Sequence, residues 1–193
     1  MTVTPNSTQS FPRNRPYTRS ALTFANERHA GQRREADGAP FVLHPLEVAS
    51  LLHDAGFPDH VVAAGVLHDV LEDTDAQPVE IRDRFGARVA TLVAAVTEDG
   101  SISDARERKA ALRLQVARAG PEAAAVFAAD KVSKTREMRV RASRSPLRES
   151  DRAKIDHYRA SLDMLDRLIP DHGLVVSLRD ELAALAAVTR AAL

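Results

Sequence analysis

The chain has 193 residues, 44% of them hydrophobic but only 4% aromatic, which suits one sizeable domain of closely packed helices rather than a sheet. Lys+Arg and Asp+Glu balance at 27 each, so no global charge points to nucleic acid or to a membrane surface. The absence of cysteine excludes disulfides, thiolate metal sites and cysteine nucleophiles. With no membrane-length apolar run and no signal-type N-terminus, the expectation is a soluble, cytoplasmic protein.

Residues 1–16 are rich in Thr, Ser, Asn, Pro and Arg and read as a disordered lead-in, with a single domain over 17–193. Tyr17 to Ala30 places Ala21, Leu22, Phe24 and Ala25 on one helical face. A charged loop with Gly38 and Pro40 follows, then an extended Phe41-Val42-Leu43 and a helix from about Pro45 to Asp54. Gly56-Phe57-Pro58 turns into the stretch on which the chain is organised. There the apolar run Val61 to Leu67 leads straight into His68-Asp69-Val70-Leu71-Glu72-Asp73, read as one continuous helix. Pro78 to Phe85 and Ala87 to Val96 read as two short helices parted by Gly86, followed by a charged helix from Asp104 to Ala119.

The next helix, about Pro121 to Val140, repeats the pattern: Ala123 to Ala129 runs into Asp130-Lys131. A basic segment then extends from Lys131 to Arg148, readable as a solvated helix face or as a dock for a polyphosphate. Two amphipathic helices, about Leu147 to Leu168 and Leu174 to Ala192, complete an all-α chain without internal repeats.

The chemistry concentrates where apolar runs end in ionisable groups. On a helix, Glu72 lies four residues after His68 and Asp73 four after Asp69, so the four share one broad face. Three carboxylates at a helix C-terminus oppose the dipole, which a divalent cation would offset; a solvated helix end is the plainer alternative. Asp130, buried after seven apolar residues, needs a partner, either Lys131 or a metal. His53, His60, His157 and His172 sit in polar contexts and read as surface residues, with His29 undecided. His44 and His68 follow apolar residues, and with Asp69 and Asp130 they make a nitrogen and oxygen donor set. Such a set suits Mn²⁺, Fe²⁺ or Zn²⁺ better than Ca²⁺, at a catalytic site with open positions for water.

In this order, His44, His68-Asp69 and Asp130 resemble the H…HD…D signature of HD-domain metal-dependent phosphohydrolases, whose fold is a helical bundle. The segments Arg28-His29-Ala30-Gly31-Gln32-Arg33-Arg34, Pro40 to Pro45 and His68 to Asp75 resemble, more narrowly, the hydrolase domain of RelA/SpoT proteins and the stand-alone small alarmone hydrolases. Phe85-Gly86, Val96-Thr97 and Ala129-Asp130-Lys131 extend the resemblance over about Tyr17 to Arg141. It implies a bundle holding one Mn²⁺ and removal of the 3′-pyrophosphate from guanosine tetra- or pentaphosphate, a small anionic nucleotide. It also implies His44, His68, Asp69 and Asp130 as metal ligands, and Glu72 and Asp73 as the acids that orient and activate water. Arg28 matches a residue near the active site and Lys109 a phosphate-binding lysine, and with Lys134 they are expected to bind the substrate. No segment is left over for a synthetase domain. Two positions depart from the pattern: Lys134 stands where the family has a substrate-contacting asparagine, and Phe41 where a tyrosine is usual. They leave open an HD-domain phosphohydrolase acting on another nucleotide or phosphorylated metabolite, with a non-catalytic nucleotide-binding regulator as a third reading.

Overall fold

The computed structural model describes residues 15–191; of the expected lead-in over residues 1–16, residues 1–14 lie outside them, as do the last two residues, whereas Pro16 opens the first helix. The described residues form nine helices: α1 (Pro16–Arg28), α2 (Leu43–Asp54), α3 (Asp59–Leu67), α4 (Val70–Asp73), α5 (Pro78–Val96), α6 (Ala105–Ala119), α7 (Pro121–Ala142), α8 (Glu149–Leu168) and α9 (Gly173–Ala191). Among these residues the only β pairing is one isolated bridge between Arg33 and Pro40. The all-α expectation holds.

α7 is the axis of the bundle. Ala123 to Ala129 are all buried, and a helix apolar on every side must be surrounded by protein. Its alanines let neighbours approach closely, and α2, α3, α5, α6, α8 and α9 all pack against it. α3 is the second buried rod, with Val61 to Leu67 at zero exposure where apolar. It lies so close to α2 that a Cβ on Gly65 would stand 2.4 Å from Leu52 Cδ1. A side chain at this position would have to displace Leu52. The first turn of α3 also anchors α1, since the Asp59 carboxylate accepts hydrogen bonds from the Tyr17 N–H (2.9 Å), the Thr18 N–H (3.1 Å) and the Thr18 hydroxyl (2.6 Å).

Four expectations are corrected. The organising stretch is two helices, because α3 stops at Leu67 and α4 begins at Val70. Asp69 relaxes to ψ −7°, and the His68 ring bonds the Gly65 carbonyl at 2.7 Å, so the chain turns where the polar residues start. Phe41 and Val42 form a turn rather than an extended segment and Leu43 opens α2, with His44 N–H bonded to the Phe41 carbonyl, so Pro45 is the third residue of α2 rather than the first. His157 is buried at 7% exposure, not on the surface. The basic segment is neither bare nor wholly solvated: Arg136 and Arg139 share Glu181, Arg136 also meets Glu47, Arg141 meets Asp151, and Arg148 meets Glu35. Gly86, by contrast, interrupts α5 as expected, at φ +84°.

Candidate metal centre and its cavity

Three pieces of chain meet at the middle of α7. His44 comes from the first turn of α2, His68 and Asp69 from the turn between α3 and α4, and Asp130 from the buried stretch of α7. All four are at most 4% exposed. His44 Nε2 stands 3.1 Å from His68 Nε2, 3.3 Å from Asp69 Oδ2 and 3.3 Å from Asp130 Oδ1. His68 Nε2 stands 3.1 Å from Asp69 Oδ2 and 3.5 Å from Asp130 Oδ1. Separations of this size are those of donors sharing one ion at bond lengths of about 2 Å.

Neighbouring groups fix which ring nitrogen faces inward. Ser133 donates its only hydroxyl proton to Glu47 Oε2 at 2.7 Å, so at 2.9 Å it accepts from His44 Nδ1–H. His68 Nδ1–H donates to the Gly65 carbonyl at 2.7 Å. Both Nε2 atoms therefore face the centre, a ring orientation typical of metal-binding histidines. Asp69 Oδ2 and Asp130 Oδ1 are buried without any hydrogen-bond partner. Lys131 pairs with the other Asp130 oxygen, Oδ2, at 2.5 Å and leaves Oδ1 for the centre. Two buried carboxylate oxygens and two convergent imidazole nitrogens fit a divalent cation.

The electrostatics agree. Burial alone would lower the His68 pKa, but Asp69 and Asp130 outweigh it and raise it to about 10. Burial pushes Asp69 and Asp130 up, yet His68 and Lys134 hold Asp69, and Lys131 and Lys134 hold Asp130, well below the usual carboxylate range. The cluster demands positive charge. Lys134 supplies some, its Nζ lying 3.1 Å from Asp130 Oδ1 and 3.4 Å from Asp69 Oδ1.

Glu72 and Asp73 follow on α4. Desolvation at the cavity wall raises both above the ordinary carboxylate value, and the charge of Asp69 adds to it. Glu72 Oε1 is held at 2.6 Å by the backbone N–H of Glu98. The two acids face different spaces. Glu72 lines a recess of about 40 Å³ with His68, Asp69, Asp130, Lys109, Lys131 and Lys134. Asp73 lines a much larger cavity of about 1150 Å³, whose wall also carries His44, Phe41, Arg34, Arg113, Tyr158 and His157. Lys109, ion-paired with Glu98, belongs to both. Arg28 lines neither; it pairs with Asp75 and Glu80 and stacks 5.0 Å from the Phe24 ring.

Sequence reasoning did not single out Ser133, Glu47, Glu98, Arg113 or Tyr158. Two signals were available: Glu47 lies three residues after His44, and Ser133 three after Asp130, so each shares a helical face with a donor.

Residues 21–191 match the family described as HD domain. The guanosine-3′,5′-bis(diphosphate) 3′-pyrophosphohydrolase of Aquifex aeolicus is 44% identical over 92 residues, 48% of this chain and 13% of that protein. The chain thus spans only about an eighth of that relative's length. The guanosine-3′,5′-bis(diphosphate) 3′-pyrophosphohydrolase MESH1 of Homo sapiens is 43% identical over 124 residues, 61% of this chain and 67% of that protein. A solved structure of a metazoan ortholog of SpoT that hydrolyzes ppGpp superimposes with a TM-score of 0.76 at 27% identity, covering 90% of this chain and 97% of that one.

Proposed function

Because this chain belongs to the HD-domain family, we propose that it is a metal-dependent phosphohydrolase that removes the 3′-pyrophosphate of guanosine tetraphosphate or pentaphosphate, releasing pyrophosphate with GDP or GTP respectively. The observation that carries the reading is the convergence of the buried Asp69 Oδ2 and Asp130 Oδ1 on the Nε2 atoms of His44 and His68. These four residues would hold the ion, with Mn²⁺ the preferred occupant and Fe²⁺ or Zn²⁺ compatible with the same donors. A divalent ion there supplies Lewis-acid charge for the phosphate and lowers the pKa of bound water.

The protein's own groups do the rest. Glu72 and Asp73, whose pKa values desolvation raises, are placed to orient water and take its proton. The backbone N–H of Glu98 fixes Glu72, so its free oxygen has little freedom to wander. Lys109, which lines both spaces, is placed to meet the phosphate. Arg28, expected at the substrate, is paired with Asp75 and Glu80 and stacked on Phe24, and lines neither space. A nucleotide substrate implies a cytoplasmic setting, and residues 17–193 are read as a single domain. Among the described residues no helix is long and apolar enough to cross a membrane.

One observation favours a second reading, an HD-domain phosphohydrolase for another phosphorylated compound. Lys134 sits inside the acidic cluster and offers donors only, and Phe41 has no hydroxyl, so two polar handles for guanosine are missing. The deciding experiment is product analysis of the purified, Mn²⁺-loaded chain against a nucleotide panel that includes guanosine tetraphosphate. Release of pyrophosphate with GDP is expected. Turnover confined to other phosphate esters would replace the alarmone with the second reading.

A further inference from the structure

Most cations of the large cavity are already neutralised. Arg34 faces Asp37 and Glu137, Arg141 faces Asp151, Lys109 faces Glu98, and Lys131 faces Asp130. Arg113 is different. Among the described residues its only polar contact is from NH1 to His157 Nδ1, at 2.7 Å, and no carboxylate lies against it. A guanidinium has no acceptor, so His157 Nδ1 must offer a lone pair and the ring is neutral. His157 is 7% exposed, and its Nε2 is buried without a partner. Burial first, then the charges of Lys131, Lys109 and Arg113, lower its pKa to about 2, which agrees with a neutral ring.

An imidazole in this role differs from an aspartate or glutamate. It holds the guanidinium in place by an accepted hydrogen bond yet leaves the full positive charge unbalanced. Burial also lowers the Arg113 pKa, so the protein bears a cost for keeping this charge where it is. Position adds the second half of the case. Arg106, Lys109 and Arg113 lie at i, i+3 and i+7 of α6 and all line the same cavity. Of the three, only Lys109 also reaches the recess beside Asp69 and Asp130. Arg113 lies about 6 Å farther along the helix than Lys109. The cation is thus oriented, desolvated and displaced from the reacting end.

We infer that Arg113, held by His157, is a second anion subsite, which binds a phosphate of the substrate other than the one attacked at the His44–His68–Asp69–Asp130 cluster. The substrate is therefore phosphorylated at two separated positions, and Arg113 reads the distal one through charge-assisted hydrogen bonds. The inference rests on the hydrolase reading for the scissile end and deepens it, because it makes the non-scissile phosphate a recognition element.

The test is calorimetric binding of guanosine 5′-diphosphate and of guanosine to the full chain. Wild type should bind the diphosphate at least tenfold more tightly than the nucleoside. Arg113→Met should abolish most of that preference, and Arg113→Lys should retain part of it. His157→Asp keeps an acceptor for the guanidinium but neutralises it, so it too should lose the preference, while a merely structural His157 would leave the ratio unchanged. In turnover, Arg113→Met should raise KM for guanosine tetraphosphate tenfold or more with kcat within about threefold, and should leave the 5′-dephosphorylated analogue unaffected. Melting curves establish that each variant is folded; if Arg113→Met is not, His157→Asp carries the decision. An unchanged preference in the folded variants overturns the subsite. Because neither binding probe has a 3′-pyrophosphate, failure to hydrolyse guanosine tetraphosphate would overturn the hydrolase reading and leave this binding result standing.

Discussion

Ser133 stands 2.9 Å from His44 Nδ1 and, having given its own proton to Glu47, can only accept there. One hydroxyl on α7 thereby sets the tautomer of a ring on α2. Removing it in Ser133→Ala leaves Nδ1–H buried without a partner and frees the ring to take the other tautomer. Metal affinity should fall ten- to a hundredfold, the range seen when a ligand's supporting hydrogen bond is lost. Titration calorimetry with Mn²⁺ checks this, and Ser133→Thr should restore part of the loss. Affinity unchanged in Ser133→Ala would show that packing alone orients His44.

On the proposed reading, Glu72 and Asp73 serve the chemistry and not the metal, since neither is among the four convergent donors. The double variant Glu72→Gln, Asp73→Asn should retain wild-type metal content and lose a hundredfold or more in kcat. Elemental analysis paired with turnover measures both quantities on one sample. Turnover near the wild-type rate would remove these residues from the proton-transfer role.

Lys134 lies among the carboxylates of the cluster, 3.1 Å from Asp130 Oδ1. Lys134→Asn supplies an acceptor and removes a charge, so the ratio of kcat/KM for guanosine tetraphosphate to that for other phosphorylated compounds should rise several-fold. A ratio that stays constant, with wild type already efficient on the alarmone, would mean that Lys134 does not set the substrate.

His157 gives the fold a pH dependence of defined sign. Its pKa is about 2 in the folded chain and about 6.5 when unfolded. Between those values the unfolded chain binds a proton that the native chain does not. Stability therefore rises with pH across the window and falls on acidification below about 6.5, by up to about 1.4 kcal/mol per pH unit from this group. His157→Gln should flatten the slope of the urea midpoint against pH between roughly 4.5 and 6.5. Equal slopes in the two proteins would mean that the native ring titrates normally.

The close seat of Gly65 against Leu52 predicts a large cost for one methyl group. Gly65→Ala should destabilise the fold by about 1–3 kcal/mol, as overpacking a core does. The same shift would move the carbonyl that holds His68, so Mn²⁺ affinity should fall with it. Denaturant unfolding and calorimetry report the two effects. A variant as stable as wild type would show that α2 and α3 can part without loss.

The convergence of His44, His68, Asp69 and Asp130 was legible in the sequence because each ends or interrupts an apolar run, and such runs must be buried. Gly86 announced its own break for a local reason, its positive φ. The break at His68-Asp69 was hidden, because both residues keep right-handed helical dihedrals and only a relaxed ψ at Asp69 parts α3 from α4. His157 was misjudged for a different reason. Its neighbours Asp156 and Arg159 are polar, and its burial comes from Phe127 and Arg113, far away in sequence. Pairings such as Arg136 with Glu181 and Arg148 with Glu35 are equally invisible to a local reading, since they depend on which helices lie side by side.

The packing of α9 on α7 has a consequence for the order of events on the ribosome. Val175, Leu178, Leu182 and Leu185 are buried where the last helix meets the core, and α7 carries Asp130, Lys134 and Ser133. Until residues 173–191 have left the exit tunnel, the central rod lacks a large part of its apolar cover, although every donor of the cluster has already been made. The donors are synthesised early and brought to rest late, so a nascent chain stalled before α9 should emerge unable to retain metal.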